Sequence, residues 1–374
     1  MQKVRAKIHL GNIRYNAEYF SALTEKPLCA VVKANAYGHG AEEVVNTLSG
    51  LADCFAVALI EEGLALRTAA CGKEILVFTP PTDEEEAYAL AVNGFTASIA
   101  DLWTAKLLSK MCKKYRLPLK VHLKVNTGMN RYGMNGSMLG KVCKLLKNDP
   151  YLRVTGIYSH LYDHSPAVAK EQRVLFLKMQ RICKRYFPTV IAHLGATYGA
   201  MLGKEYTFDM VRIGIGLYGY LPCESSEIVL KKGMTVYAKA VAMRKYSFGG
   251  AGYARAEISK DERLSLYRFG YADGFLRNRE NGVDGWVQNA NNLCMDVCIR
   301  KGYTRRGRWV PILTDAEEIA KKTGTISYEV LCAATRRAEF VYDNDETAFC
   351  GKRAADATRK EGGASGVCEE TPRR

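Results

Sequence analysis

The sequence is poor in proline and tryptophan, with ten and three residues among 374, and it has no run of the roughly 18 apolar residues that a membrane span requires. A transmembrane helix is therefore not expected. Residues 1–10 carry charge throughout, so a secretory leader is not expected either, and the chain reads as cytoplasmic. No G-x-G-x-x-G motif follows the first strand-like segment, which argues against a dinucleotide-binding domain. The twelve cysteines are scattered. The closest pair is Cys294 and Cys298, with no second pair or histidine cluster nearby, so neither a disulfide scaffold nor a zinc site is expected. Acidic residues are the scarce charge: 39 Asp and Glu face 54 Lys and Arg, for a net charge of +15. The basic residues are spread along helical stretches (Lys106, Lys110, Lys113, Lys114; Lys178, Arg181, Lys184, Arg185) and do not form one block interleaved with aromatics. Specific nucleic-acid binding is not expected; a small anionic ligand explains a basic cleft equally well.

What is present is a rhythm. Apolar runs at 29–32, 55–59, 75–78, 95–99, 119–124, 152–158, 190–193 and 210–215 alternate with helical patterns at 13–23, 41–48, 61–70, 84–92, 102–115, 138–147 and 169–186. Strand–helix alternation with short connections and about eight strands predicts an α/β fold, a TIM-type (β/α)8 barrel over 11–230. From about residue 231 the pattern changes to short segments (234–243, 264–269, 286–288) separated by Gly and Asn. That predicts a mostly antiparallel β domain over 231–345, with one helix at 316–322 before a further segment at 327–332. Residues 351–374 lose hydrophobic spacing and are expected to be disordered.

The sharpest local signal is Cys29 to Gly40, C-A-V-V-K-A-N-A-Y-G-H-G. A buried apolar strand ends at Lys33, where an ammonium must be paired or shed its proton. A desolvated lysine is an amine nucleophile suited to holding a carbonyl compound. The bland alternative is a lysine reaching from a strand end to solvent. In a barrel, chemistry gathers at the C-terminal ends of the strands. Other candidates stand at such ends: Lys124 and Arg131, Ser159-His160, His193 with Thr197, and Arg212 with Gly214 and Ile215.

The run V-V-K-A-N-A-Y-G-H-G resembles the cofactor-lysine segment of the alanine racemase family, and the resemblance extends over about residues 3–342. It implies a barrel followed by a β domain to which strand 1–10 returns, with pyridoxal 5'-phosphate (PLP) as cofactor. It implies Lys33 as the Schiff-base lysine and one of two catalytic bases. Tyr37, Thr197, Gly214, Ile215 and Tyr328 would surround the cofactor phosphate. Arg131 would hold its phenolic oxygen and act in substrate binding. Lys124 matches a position that is carbamylated in some members. Arg212 would face the pyridine nitrogen, where most PLP enzymes place a carboxylate, and His193 would buttress it. Tyr253, in G-A-G-Y-A-R-A, matches the second base, supplied by a partner subunit and assisted by His160; Tyr246 is the other candidate. Tyr271 (G-Y-A-D-G), Arg277 and Met295 (C-M-D) would line the substrate entry or bind its carboxylate.

The implied protein is a homodimer with active sites shared across its interface. It interconverts L- and D-alanine for peptidoglycan precursors. Two positions depart from the family pattern: Ala196 stands where Asn is usual and Asn126 where Asp is usual. The segments Ser159-His160-Leu161 and Tyr198-Gly-Ala-Met are similar to a serine/alanine racemase branch linked to vancomycin resistance, whose members carry a membrane domain ahead of this one. That branch tends to have Asn where Tyr328 stands, which favours alanine. A non-catalytic PLP-binding barrel protein would lack the β domain. A related decarboxylase would carry glutamate in place of Arg212.

Overall fold

A computed structural model of the chain describes residues 4–246, 249–253, 256–276 and 293–343. Eight parallel strands form the first sheet: β2 (Leu28–Val31), β3 (Cys54–Val57), β4 (Glu74–Val77), β5 (Thr96–Ile99), β6 (Leu119–Lys124), β7 (Leu152–Tyr158), β8 (Ile191–His193) and β9 (Val211–Ile213). Their order is β8-β7-β6-β5-β4-β3-β2-β9, a nearly closed TIM-type barrel. Its seam is joined by the Asp209 N–H to Ala192 O (2.9 Å) and the Arg212 N–H to Gly195 O (3.0 Å). Strands β2, β3, β5 and β9 are buried along their whole length, as expected where helices cover one face and the barrel interior the other.

The connecting helices start where the sequence offers caps. Asp83, Asp101 and Asn135 each accept a backbone N–H three residues on, from Glu86, Thr104 and Met138, and so open helices Glu84–Val92, Leu102–Tyr115 and Gly136–Leu146. Each of these helices buries one apolar stripe, for example Ala105, Leu108, Met111 and Cys112.

A second, mostly antiparallel sheet runs β14-β13-β10-β1-β16, with β15 also paired to β10. Its strands are β1 (Val4–Ile8), β10 (Met234–Tyr246), β13 (Glu262–Tyr267), β14 (Cys298–Lys301), β15 (Trp309–Leu313) and β16 (Ala338–Tyr342); β11 (Gly250–Ala251) and β12 (Ala256–Glu257) form a small separate ladder. The first strand of the chain lies between β10, antiparallel, and β16, parallel.

Three expectations need correction. The strand expected at 55–59 stops at Val57, because Leu59 is the exposed cap of helix Ile60–Leu66. Residues 327–332, grouped with the β segments, begin a helix, Ser327–Ala334; Val330, Leu331, Ala333 and Ala334 fall on one helical face and are buried. Strands β14, β15 and β16 were not anticipated, since Ile299–Arg300–Lys301 and Ala338–Glu339 lack clean alternation and owe their strand state to pairing with β13 and β1. Arg277, the segment 286–288 and the tail 351–374 lie outside the described residues. Among those described, no helix is long and apolar enough to cross a membrane.

Candidate active site

The barrel strand carrying Lys33 ends in an unusual way. Ala34, Asn35, Ala36 and Tyr37 all take left-handed backbone angles, with φ between 51° and 54°. Such a conformation costs about 1–2 kcal/mol per L-residue, so the turn needs external support, and it has it. Glu62 Oε1 accepts the Ala34 N–H (2.6 Å) while its Oε2 accepts those of Ala58 and Leu59 (2.8 and 3.1 Å). Asn35 Oδ1 accepts the Ala41 N–H at 2.8 Å. The buried His39 ring bonds through Nδ1 to the carbonyls of Ala36 and Tyr37 (3.0 and 3.1 Å). Backbone strain of this kind belongs with functional sites.

The turn sets Lys33 and Tyr37 on a cavity of about 590 Å³. Of the residues singled out from the sequence, Lys33, Tyr37, Lys124, Arg131, His160, Thr197, Arg212, Gly214, Ile215 and Tyr328 all line it. They come from the ends of β2, β6, β7 and β9, the start of helix Thr197–Leu202 and helix Ser327–Ala334. No Asp or Glu is among the described residues lining this cavity. Burial, then the Arg131 charge, lowers the Lys33 amine below its ordinary range. Burial, followed by Arg212 and Arg131, drives the Lys124 amine well below its own. The Lys124 Nζ stands 4.4 Å over the Tyr158 ring.

Arg212 is buried, with only 3% of its surface exposed, and its guanidinium is tightly held. Nη1 donates to His193 Nδ1 and His193 O, both at 2.8 Å, and Nη2 to Ser159 O (2.7 Å) and Leu194 O (3.1 Å). His193 lies behind Arg212, away from the cavity lining, and stacks on Tyr158 with ring centroids 5.0 Å apart. Desolvation first, then Arg212, pushes His160 and His193 well below the usual imidazole range.

The Tyr37 ring, also in the cavity wall, packs 4.9 Å from Tyr218 and 5.9 Å from Tyr328. Burial raises the Tyr37 hydroxyl above its ordinary range and the Tyr328 hydroxyl to about 12, so both act as neutral hydrogen-bonding groups. A Cβ on Gly214 would meet Tyr37 Oη at 2.6 Å; glycine is what lets the chain pass this close to the tyrosine. Thr197 Oγ1 accepts the Gly216 N–H at 3.3 Å.

Both departures from the family pattern have a local account. Asn126 Oδ1 accepts the N–H groups of Gly128 and Asn130 (3.0 and 3.1 Å), which folds the loop that ends at Arg131; asparagine supplies that acceptor as aspartate would. Ala196 lines the cavity directly and brings no hydrogen-bonding side chain to it.

The remaining candidates are elsewhere. Tyr253, Tyr271 and Met295 are 65%, 38% and 53% exposed and do not line the cavity. Tyr246, at the end of β10, is half-buried against Ala251 and Leu264. Several residues at or behind the site drew no attention in the sequence: Tyr158 and Tyr132 in the cavity wall, and Glu62 and His122 behind it. A signal existed for two of them. Period-2 alternation puts His122 on the same strand face as Lys124, and Tyr158 ends β7 two residues before His160.

A parallel barrel that gathers a desolvated lysine, two arginines and buried tyrosines at its strand ends has the chemistry of one class, proteins suited to hold a carbonyl compound on lysine beside an anion. The comparisons narrow this. Residues 8–222 match the N-terminal domain of alanine racemase and residues 233–342 its C-terminal domain. The chain belongs to the alanine racemase family.

Its relatives include the alanine racemases of Francisella philomiragia, 31% identical with 90% of this chain and 97% of that protein covered, and of Synechocystis, 31% identical with 87% and 94% covered. Among solved structures, the alanine racemase of Clostridium difficile 630 superposes with a TM-score of 0.84 at 28% identity, covering 91% of this chain and 95% of that one. The alanine racemase of Bartonella henselae, described with covalently bound pyridoxal phosphate, superposes with a TM-score of 0.81 at 25% identity, covering 91% and 100%.

Proposed function

We propose that this protein is a PLP-dependent alanine racemase that uses Lys33 and Tyr253 as its two bases and supplies D-alanine for peptidoglycan precursors in the cytoplasm. The observation that carries the reading is the pairing, in one cavity, of a desolvated lysine with a buried arginine where a carboxylate would serve most PLP enzymes. The cavity fits the cofactor. Four basic side chains, Lys33, Lys124, Arg131 and Arg212, and no carboxylate are among the described residues lining it, which suits a phosphate dianion and a phenolate. Tyr37, Thr197, Gly214, Ile215 and Tyr328 would hold the phosphate, and Arg131 the phenolic oxygen. When bound, PLP supplies an electron-withdrawing ring conjugated to the substrate amino group, which acidifies Cα.

This chain's residues account for the rest. Lys33, with its amine lowered by burial, is nucleophilic towards a carbonyl carbon and can then accept or return the Cα proton on its own face of the substrate. Arg212 has only donors, so a ring nitrogen facing it gains no proton. That restrains charge from spreading into the ring and limits side reactions. Tyr253 serves the opposite face. Its exposure, with that of Tyr271 and Met295, suits delivery from a second copy, so we take the active form to be a homodimer. Arg277 would complete the entry. His160, kept neutral by burial, would exchange hydrogen bonds with the tyrosine base.

Lys124 suits carbamylation. A neutral amine can attack carbon dioxide, form a carbamate and release one proton, which would set a carboxylate between Arg131 and Arg212. Tyr328 at the cavity wall supports alanine over serine. The domains we assign are the barrel at 11–230 and the β domain at 231–345, with β1 joining the latter.

The test is D-alanine formation from L-alanine by the purified protein, with its visible absorbance recorded beside that of Lys33→Ala. A yellow protein that racemises alanine, with a colourless inactive variant, is the expected result. A protein that stays colourless after PLP is supplied overturns the reading.

A further inference from the structure

Barrel interiors are usually filled with branched apolar side chains. This one has a polar axis. Lys120, His122 and Lys124 alternate along β6 and share one strand face, with Lys124 at the cavity end. His122 is 2% exposed and reaches His193, its Nδ1 lying 3.0 Å from His193 Nε2. At the other end of the barrel, Glu74 opens β4 and bonds Lys120 Nζ at 2.7 Å.

The protons along this axis can be assigned. Arg212 carries donors only, and its Nη1 stands 2.8 Å from His193 Nδ1, so that nitrogen accepts and the His193 proton sits on Nε2. His193 Nε2 then donates to His122 Nδ1, which leaves the His122 proton on Nε2. That N–H is buried and has no hydrogen-bond partner, while Glu74 Oε1 stands 3.9 Å away, a gap that a small side-chain shift would close. Both imidazoles are neutral at physiological pH: burial lowers His122 to about 4 and carries His193 well below its ordinary range. For Glu74, burial acts upward, but the hydrogen-bonded Lys120 ammonium leads the groups that outweigh it and keep the carboxyl below its usual range.

The fold makes room for the His122 ring in two independent ways. The residue opposite it on β7 is Gly156, where a Cβ would fall 2.5 Å from the ring. The β6–β7 register also breaks at this point: Val121 pairs with Val154 and His122 with Gly156, so Thr155 is an extra residue. Such bulges re-aim side chains.

We propose that His122 and Glu74 are positioning residues for Arg212. They complete a one-way donor relay, Arg212 to His193 to His122 to Glu74, in which the carboxylate draws on the far N–H, makes each imidazole behind it a better acceptor, and so fixes the guanidinium. The inference rests on Arg212 facing the cofactor's ring nitrogen, and the experiment separates the two claims.

Histidine 15N signals would be recorded on the labelled holoenzyme, whose six histidines keep the spectrum simple. Wild type would be compared with Glu74→Gln, His122→Gln and His122→Leu. In wild type His122 and His193 should both show the proton on Nε2. Glu74→Gln should shift both residues' signals while the other four histidines hold. It should also move the visible band of the bound cofactor and lower kcat roughly 10-fold, the scale of an outer-shell partner, with KM nearly unchanged. His122→Gln, which can accept and donate, should retain more activity than His122→Leu.

A proton on Nδ1 of either histidine in wild type overturns the relay. So do unmoved His122 and His193 signals in Glu74→Gln, or shifted signals with kcat and the cofactor band unchanged. If the signals behave as expected but the protein takes up no PLP, the relay stands as geometry and the cofactor reading fails.

Discussion

At the barrel mouth, Lys33, Lys124, His160 and Arg212 are drawn out of water and pressed against one another, and each is pushed towards its neutral form. On the second sheet and its loops, Tyr253, Tyr271 and Met295 stand in solvent. The first group stood out as polar residues at strand ends, the second through the family resemblance alone. The difference teaches where each obtains its environment. The barrel residues receive theirs from their own chain, through strand ends that meet only when the sheet curls round. The exposed residues keep 38–65% of their surface in solvent, which is the reason for assigning their work to a surface that a second copy completes.

The largest expected effect is at the barrel. Lys33→Ala should lower racemisation by at least about 10³-fold and abolish the visible band, since the nucleophile and one base are lost together. A variant that keeps its band would show that the cavity holds its ligand without the lysine. Next comes the exposed group. Tyr253→Phe should cost about 10²–10⁴-fold, the range for a general acid–base residue, while the band is kept. Mixing Lys33→Ala with Tyr253→Phe should restore part of the activity, because in a shared-site dimer one of the two sites regains both bases. Failure to restore it while each variant still dimerises would place Tyr253 in the same chain's site or outside catalysis.

A pH series sharpens the contrast through stability. His39 and His122 are buried and lowered from 6.5 to about 4 in the fold, with desolvation the main cause in both. The unfolded chain therefore binds more protons than the folded one between these values, and stability rises with pH there. Each histidine's contribution is complete above about 6.5 and is lost as pH falls towards 4, by up to about 3 kcal/mol apiece. Urea unfolding between pH 7 and 4 checks this, and His122→Leu should remove part of the slope. The smallest effect is packing: Gly156→Ala should destabilise by about 1–3 kcal/mol through the clash with the His122 ring. A chemical-denaturation midpoint equal to wild type would show that the ring can move aside.

Much of the barrel was legible because its signals are local. Strand β2 reads as a buried run, and Asp83, Asp101 and Asn135 cap their helices as their side chains dictate. The helix at 327–334 was misread because its apolar pattern is short, and its helical face acquires meaning only by packing against the turn at 33–38 and carrying Tyr328 towards Tyr37. His122 escaped notice for a related reason. Alternation puts it on the strand face of Lys124, but only Gly156 opposite and His193 alongside give it a role.

By itself, the sequence determined the strand–helix alternation of the barrel, the strand that ends at Lys33 and the residue types available at each strand end, because periodicity, capping and turn chemistry act over a few residues. Only the tertiary structure decided that Lys33, Lys124, Arg131 and Arg212 share a cavity with no carboxylate among its described lining residues, that four successive residues after Lys33 turn left-handed, and that a polar axis runs behind Arg212 to Glu74. Those outcomes depend on closing loops of tens to hundreds of residues and on the desolvation that follows, and neither is written in any short stretch of chain.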